Sequence, residues 1–357
     1  MPLRRLGFAR WISPVPSGGN RYDDELAAGL RDLGIDVREY AVPGPWPVAD
    51  RAGRRRLADL LRAEQDWLMD NILAAGAPEA VSAGRVAGRR ITVLVHYFPA
   101  DEIGWTATER DRLVAAEAEA LTAAHGTVAT SGWTAGQVRT RYGIAGTTVA
   151  VPGVAPARCS PPPAPARPPR LLWLGRITRT KDPLTLVAAL AQLHDLSWTA
   201  RVIGPDTIDP LYTRSVRAAI DRSGLGRRVA QVGPRTGPGL AAEWAAGHLL
   251  VSTSRVEPYG MVVTEALARG IPSVVTAGTG AVEAQRAGLS DPEVRPAGET
   301  FAPGDAEGLA AALHGWLADP MRQRRWREAA VQQRSHLPTW RATAEAVLAQ
   351  LERACRQ

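Results

Sequence analysis

The stretch Ser254–Thr276, SRVEPYGMVVTEALARGIPSVVT, decides how the rest of this chain is read. It spells a strand end, a glycine-bearing turn, one short helix and a second strand. Pro258 stands where a helix can begin, Gly260 lets the backbone approach a ligand, and Gly270 with Pro272 stops the helix before the β-branched run Val274, Val275, Thr276. The helix therefore has room for only about two turns. Amides near its start, from Tyr259 through Gly260 and Met261 to Val262, lack intrahelical acceptors and carry the positive end of the dipole, which suits an anion such as a diphosphate. Glu257 precedes that terminus and Glu265 follows it, eight residues on. Carboxylates on either side of an anion site do not bind the anion; they accept hydrogen bonds from hydroxyls beside it, as on a sugar and a ribose.

The pattern Glu257-x7-Glu265, with Pro-Tyr-Gly after the first acid and Glu-Ala-Leu-Ala-x-Gly at the second, resembles the donor site of retaining glycosyltransferases of family four. The resemblance implies the GT-B fold: α/β, with two Rossmann-like domains whose parallel sheets face an interdomain cleft. A second motif, LLWLGRITRTK (Leu171–Lys181), runs from a strand into a loop. Arg176 offers a planar fork of donors and Lys181 a compact point charge, so together they can neutralise a departing diphosphate. By resemblance they are the family's pyrophosphate pair, with Glu257 on the sugar and Glu265 on the ribose.

Three further positions join the candidate site. Gly18 and Gly19, in Pro16–Asn20 after the first strand, permit close approach to phosphate, although a plain tight turn explains them equally well. His96 ends the apolar strand ITVLVH; a lone histidine is commonly structural, but a strand's C-terminal end is where ligands bind, and the resemblance places it near the donor sugar. Pro234 and Arg235 follow a later strand where relatives hold the nucleobase, while surface exposure accounts for Arg235 as well.

Other chemistries lack their signatures. No Asp-x-Asp offers a metal clamp, so no metal and no cofactor is expected, and charge on the leaving group falls to Arg176, Lys181 and the helix amides. Gly278-Thr279-Gly280 is followed by Glu283 where a dinucleotide fingerprint needs a third glycine. Lys plus Arg number 43 against 36 acids, a net +7 that attracts nucleotides, phosphorylated substrates or anionic membrane without choosing among them. The 11 tryptophans do not interleave with basic residues, which speaks against nucleic acid as a partner. Arginines 51 and 54–56 open an apolar-faced helix that could touch anionic lipid, but the run is short and a solvated helix start is the simpler reading. Cys159 and Cys355 build no disulfide framework, no apolar segment suggests a signal peptide or a membrane span, and a cytoplasmic location is expected.

At 357 residues the chain suits two domains. A strand at 6–12, a helix at 22–33 and a strand at 36–42 open a parallel sheet; a helix is expected over 54–73, and strands at 91–95, 127–130 and 148–151 alternate with helices. The run CSPPPAPARPPR, with six prolines in residues 159–170, reads as a semi-rigid linker, after which the α/β rhythm restarts. The expected domains are 1–160 for the acceptor, 161–335 for the nucleotide-sugar donor, and a final helix in 336–357 that, by resemblance, packs back on the first. Together the resemblance implies a metal-independent retaining transferase moving a sugar from a nucleotide diphosphate donor, a UDP-sugar before GDP-mannose, to a hydroxyl of a small molecule, saccharide or lipid. A sugar-nucleotide epimerase of the same architecture and a non-catalytic sugar-nucleotide-binding partner are the alternatives.

Overall fold

A computed structural model describes residues 3–12, 17–162 and 168–356. The chain divides into one unit of residues 1–153 and 338–357 and another of residues 154–337. In the first, strands β1 (Arg5–Trp11), β2 (Asp36–Val42), β3 (Asp66–Asp70), β4 (Arg90–Val95), β5 (Gly126–Ala129) and β6 (Thr148–Val149) alternate with helices α1 (Gly18–Asp32), α2 (Arg51–Leu60), α3 (Asn71–Gly76), α4 (Pro78–Val86), α5 (Ala107–Ala123) and α6 (Gly132–Tyr142). The sheet is parallel with order β2-β1-β3-β4-β5-β6. The order reverses between β1 and β3, which opens a crevice at their C-terminal ends.

The second unit repeats the scheme with β7 (Arg170–Leu174), β8 (Thr199–Ile203), β9 (Val229–Gly233), β10 (Leu249–Ser252), β11 (Ser273–Thr276) and β12 (Gly298–Phe301). Its helices are α7 (Pro183–Leu190), α8 (Pro210–Arg222), α9 (Gly237–Ala246), α10 (Met261–Leu267), α11 (Gly280–Gln285), α12 (Ala306–Leu317) and α13 (Pro320–Gln333). Here the parallel order is β12-β11-β10-β7-β8-β9, so the reversal falls between β7 and β10. A last helix, α14 (Trp340–Ala354), belongs to the first unit, where its Ala344 lies so close to Gly29 of α1 that a Cβ on Gly29 would sit 2.9 Å from the alanine methyl.

Three expectations are corrected. The helix foreseen over 54–73 is instead α2 followed by β3 and α3, because the buried run Trp67, Leu68, Met69 forms a central strand packed on both faces rather than one side of a helix. Trp67 takes the space a side chain on Gly7 of β1 would need: a Cβ there would lie 2.6 Å from the indole. Helix α1 begins at Gly18, so Gly18 and Gly19 are in its first turn, capped by Ser17 Oγ accepting from the Asn20 amide at 3.1 Å; Pro16 is outside the described residues. The break between units falls at 153/154 rather than 160/161, because residues before the prolines are fastened to the second unit: Ser160 N–H donates to Arg269 O at 2.9 Å, Ser160 Oγ to Trp244 O at 2.8 Å, and Arg334 to Ala157 O at 2.5 Å. Residues 163–167 of the proline run lie outside the described residues.

Each unit has its own core, Trp67, Met69, Ile91 and Val93 in the first and Trp173, Leu186, Trp198, Leu249 and Val274 in the second. Among the described residues no helix is long and apolar enough to cross a membrane. Arg51, Arg54, Arg55 and Arg56 are exposed on α2.

Candidate functional site

In the second unit the loops after β7 and β10 meet at the strand-order reversal, the place where open α/β sheets bind ligands. Trp173 on β7 donates its indole N–H to Thr253 Oγ1 at 2.8 Å, and that hydroxyl donates to the Lys181 carbonyl at 2.9 Å. Lys181 Nζ then reaches Glu257 Oε2 at 2.5 Å, and Ser254 Oγ donates to the same oxygen at 2.9 Å. The two residues are 76 positions apart, and the fold places them in contact. Glu257 is 8% exposed, so its charge needs this company. Arg176 is half-buried in the loop that carries Lys181.

The backbone beyond Glu257 is tightly held. Gly280, the first residue of α11, donates its N–H to Glu257 O at 2.7 Å, and a Cβ on it would fall 2.0 Å from Pro258 O. Gly280, which belongs to no dinucleotide fingerprint, is therefore the point against which the Glu257 loop rests. Helix α10 begins at Met261, not at Pro258, because Gly260 turns left-handed at φ 93° and serves as an N-cap without a side-chain cap bond. The first-turn amides are thus those of Met261 and Val262. Tyr259 is buried, and that burial, with Glu283 nearby, pushes its phenol pKa up and keeps it neutral. Glu265 is half-buried on α10, its carbonyl accepting from Arg269 at 2.7 Å. Pro234 and Arg235 are exposed on the loop after β9, the edge strand two places from β7, and Arg235 donates to Pro234 O at 3.2 Å.

In the first unit His96 stands just past β4, beside the β1/β3 reversal. Its Nε2 lies 2.8 Å from Asp23 Oδ1 on α1, its main-chain N–H donates to Asn71 Oδ1 at 3.2 Å, and its ring meets Tyr22 edge-on with centroids 5.2 Å apart. The ring also approaches Gly19, where a Cβ would be 3.7 Å from its Cγ. Gly19 and His96, placed at one site by sequence, are neighbours. Asn71 clamps the strand end by also donating to Tyr97 O at 2.7 Å and to Glu117 Oε1 at 2.7 Å. Asp70, at the end of β3, completes the set: ligand-type atoms of Asp23, Asp70 and His96 all lie within 4.8 Å of one another.

That spacing would admit a metal ion, but the charges are already answered. Arg10 Nε is 3.5 Å from Asp23, and its guanidinium also pairs with Asp24 and Glu39. Burial opposes protonation of His96, and Asp23, through charge and hydrogen bond, and then Asp70 outweigh it, so the imidazole pKa is raised above 6.5 despite Arg10. Burial likewise pushes Asp70 up to about 6, against the pull of His96. A cation would have to enter beside an arginine and break the His96–Asp23 bond.

Sequence reasoning missed Asp23, Asp70, Ser254 and Gly280. Asp70 closes the apolar run DWLMD and would have stood out had that run been read as a strand; Asp23, in an ordinary helical stretch, carries no signal of its own.

Residues 160–333 match the family model described as glycosyl transferases group 1. D-inositol 3-phosphate glycosyltransferase 1 of Catenulispora acidiphila is 38% identical over 130 residues, covering 34% of this chain and 30% of that protein. D-inositol 3-phosphate glycosyltransferase of Mycobacterium avium is 28% identical over 188 residues, 52% of this chain and 42% of that protein. The chain thus spans less than half the length of these curated relatives. Among solved structures, sucrose-phosphate synthase from Thermosynechococcus elongatus superposes with a TM-score of 0.79 at 20% identity over 99% of each chain. Anabaena Alr3699/HepE in complex with UDP and glucose gives 0.72 at 18% identity, over 97% of this chain and 99% of that one. With its two six-stranded parallel sheets the chain has the GT-B fold, and its segment 160–333 is similar to the glycosyl transferases group 1 family.

Proposed function

We propose that this protein is a hexosyltransferase that takes a sugar from a nucleoside diphosphate sugar, a UDP-sugar first, and transfers it to a hydroxyl with retention of configuration and without a metal. The observation that carries this reading is the Lys181–Glu257 contact at the β7/β10 reversal, in a segment matching the family model. The UDP bound in Anabaena HepE supports a uridine nucleotide for a chain of the same fold. In the proposed mechanism, Arg176 and Lys181 bear the charge that develops on the leaving diphosphate, with the Met261 and Val262 amides assisting. Glu257 accepts from sugar hydroxyls, Glu265 from the ribose, and Tyr259 and Gly260 set the backbone between them. Pro234 and Arg235 flank the base. His96, held by Asp23 and Asn71 with Gly19 beside its ring, is the candidate substrate-contacting residue of the first unit, with Gly18 next to Gly19 in the chain. The acceptor hydroxyl attacks from the face the leaving group vacates, which gives retention.

Acceptors include small molecules, cyclitols, saccharides and lipids; the names of the curated relatives put inositol phosphates first in line. The test is a thermal-shift panel of UDP, GDP and their hexose conjugates, followed by NMR of the product anomer formed with candidate acceptors in the presence of EDTA. Stabilisation by a nucleoside diphosphate and acceptor-dependent release of it support the reading. Conversion of the donor sugar without an acceptor would instead indicate an epimerase, and binding without turnover on any acceptor a non-catalytic partner.

A further inference from the structure

Asp182 is, among the described residues, the only non-glycine residue with a positive φ, 48°. An L-residue there crowds its Cβ against its own backbone, and the conformation persists only where surroundings enforce it. Its main-chain N–H donates to Thr178 O at 3.0 Å, and its carboxylate is held as well: Oδ2 lies 2.8 Å from Arg255 Nε and accepts from Thr185 Oγ1 at 2.8 Å, and Oδ1 accepts from Tyr212 OH at 3.3 Å. Asp182 is 4% exposed, so Arg255 also supplies the countercharge its burial requires. On the main chain, Arg255 N–H donates to Thr180 O at 2.8 Å. Arg255 therefore fastens the residues on both sides of Lys181, and it sits two positions before Glu257.

We propose that Arg255 is a positioning residue for the diphosphate of the donor, acting through Asp182. Its guanidinium neutralises Asp182 and holds the left-handed turn, and that turn aims the neighbouring Lys181 at Glu257. The inference rests on the donor site proposed above. Lys181 has four rotatable carbons of reach, so its aim is set by the backbone it leaves, and a loop shift of about 1 Å is enough to cost roughly a hundredfold in rate. In sequence Asp182 stands out only as the acid after Lys181 at a helix start, and nothing local pairs it with Arg255.

The experiment is a rescue. Arg255→Ala leaves Asp182 buried and charged, and is expected to weaken binding of UDP, or of GDP if that is the nucleotide bound, by about tenfold or more in calorimetry. It is also expected to lower the melting temperature. Asp182→Gly takes the same φ without strain and needs no countercharge, so its loss is smaller. The double variant Arg255→Ala/Asp182→Gly should regain most of both quantities. If Arg255 instead touches phosphate itself, the double variant binds nucleotide as poorly as Arg255→Ala, and the proposal is overturned. A melting temperature for the double variant no higher than for Arg255→Ala overturns it too. Should the wild type bind no nucleoside diphosphate, the donor reading fails, and with it the role in binding, while recovery of melting temperature still reports the Asp182–Arg255 coupling. If Arg255→Ala does not fold, folding of the double variant is itself the recovery, and its failure to fold counts against the proposal.

Discussion

The Lys181 ammonium lies 2.5 Å from Oε2 of Glu257, so the group proposed to hold phosphate and the group proposed to hold sugar are held by each other. A donor must share or displace that contact. Glu257→Gln keeps the shape and removes the charge, and we expect turnover to fall by about a hundredfold while UDP affinity changes by less than about tenfold. Equal losses in calorimetry and initial rates would argue against the sugar contact. Lys181→Ala should weaken UDP directly and leave the Glu257 carboxylate with the Ser254 hydroxyl in place of a countercharge, costing about 1–3 kcal/mol in urea unfolding.

His96 gives a pH-dependent prediction. Its pKa is raised in the folded protein, so its contribution to stability is fully present below about 6.5 and disappears as pH rises through the folded value. Asp23→Asn removes the larger of the two raising causes and leaves only Asp70 to oppose burial. Melting temperatures of wild type and variant should therefore differ most near pH 6 and converge at higher pH. A gap that widens with pH would contradict the assigned cause.

Glu117 acts with the opposite chemistry and the same sign. Burial pushes its carboxyl up to about 7, against hydrogen bonds from Tyr142 and Asn71. A raised carboxyl favours folding when protonated, so the protein loses stability as pH climbs from about 4.5 to 7. Glu117→Gln can accept from Asn71 at its amide oxygen and donate its NH2 to the Tyr142 hydroxyl oxygen without the charge, and should stabilise the protein at pH 8 by about 1–3 kcal/mol, with little gain at pH 5. Calorimetric melts at the two pH values check this.

Gly280→Ala tests how firmly the Glu257 loop is seated. The added methyl would meet Pro258 O at 2.0 Å, and since the obstacle is backbone, the loop itself must move. We expect a loss of about 1–3 kcal/mol together with a turnover defect larger than that of an alanine at the exposed Arg235. Normal kinetics for Gly280→Ala would show that the loop tolerates displacement.

Much of this was legible in sequence, for identifiable reasons. The strand read at 36–42 is β2 (Asp36–Val42), and the continuous apolar run read at 91–95 lies within β4 (Arg90–Val95). Strand β3 was not, because DWLMD is too short and too uniformly apolar to separate from helical neighbours by periodicity. The acids and bases of the site were legible where they recur in a spaced motif, as with Glu257 and Glu265. Their partners were not: Asp23 meets His96 across 73 positions and Arg255 meets Asp182 across a comparable span, and no local pattern encodes a contact that only the sheet order creates.

Helix α14 completes the first unit although 184 residues of the second, 154–337, intervene. During synthesis the opening half must wait without its final layer while the continuous second unit emerges and can close on itself. Truncation before Trp340 should therefore leave Tyr22 and α1 without their neighbour and harm the half that was made first, not the one made last.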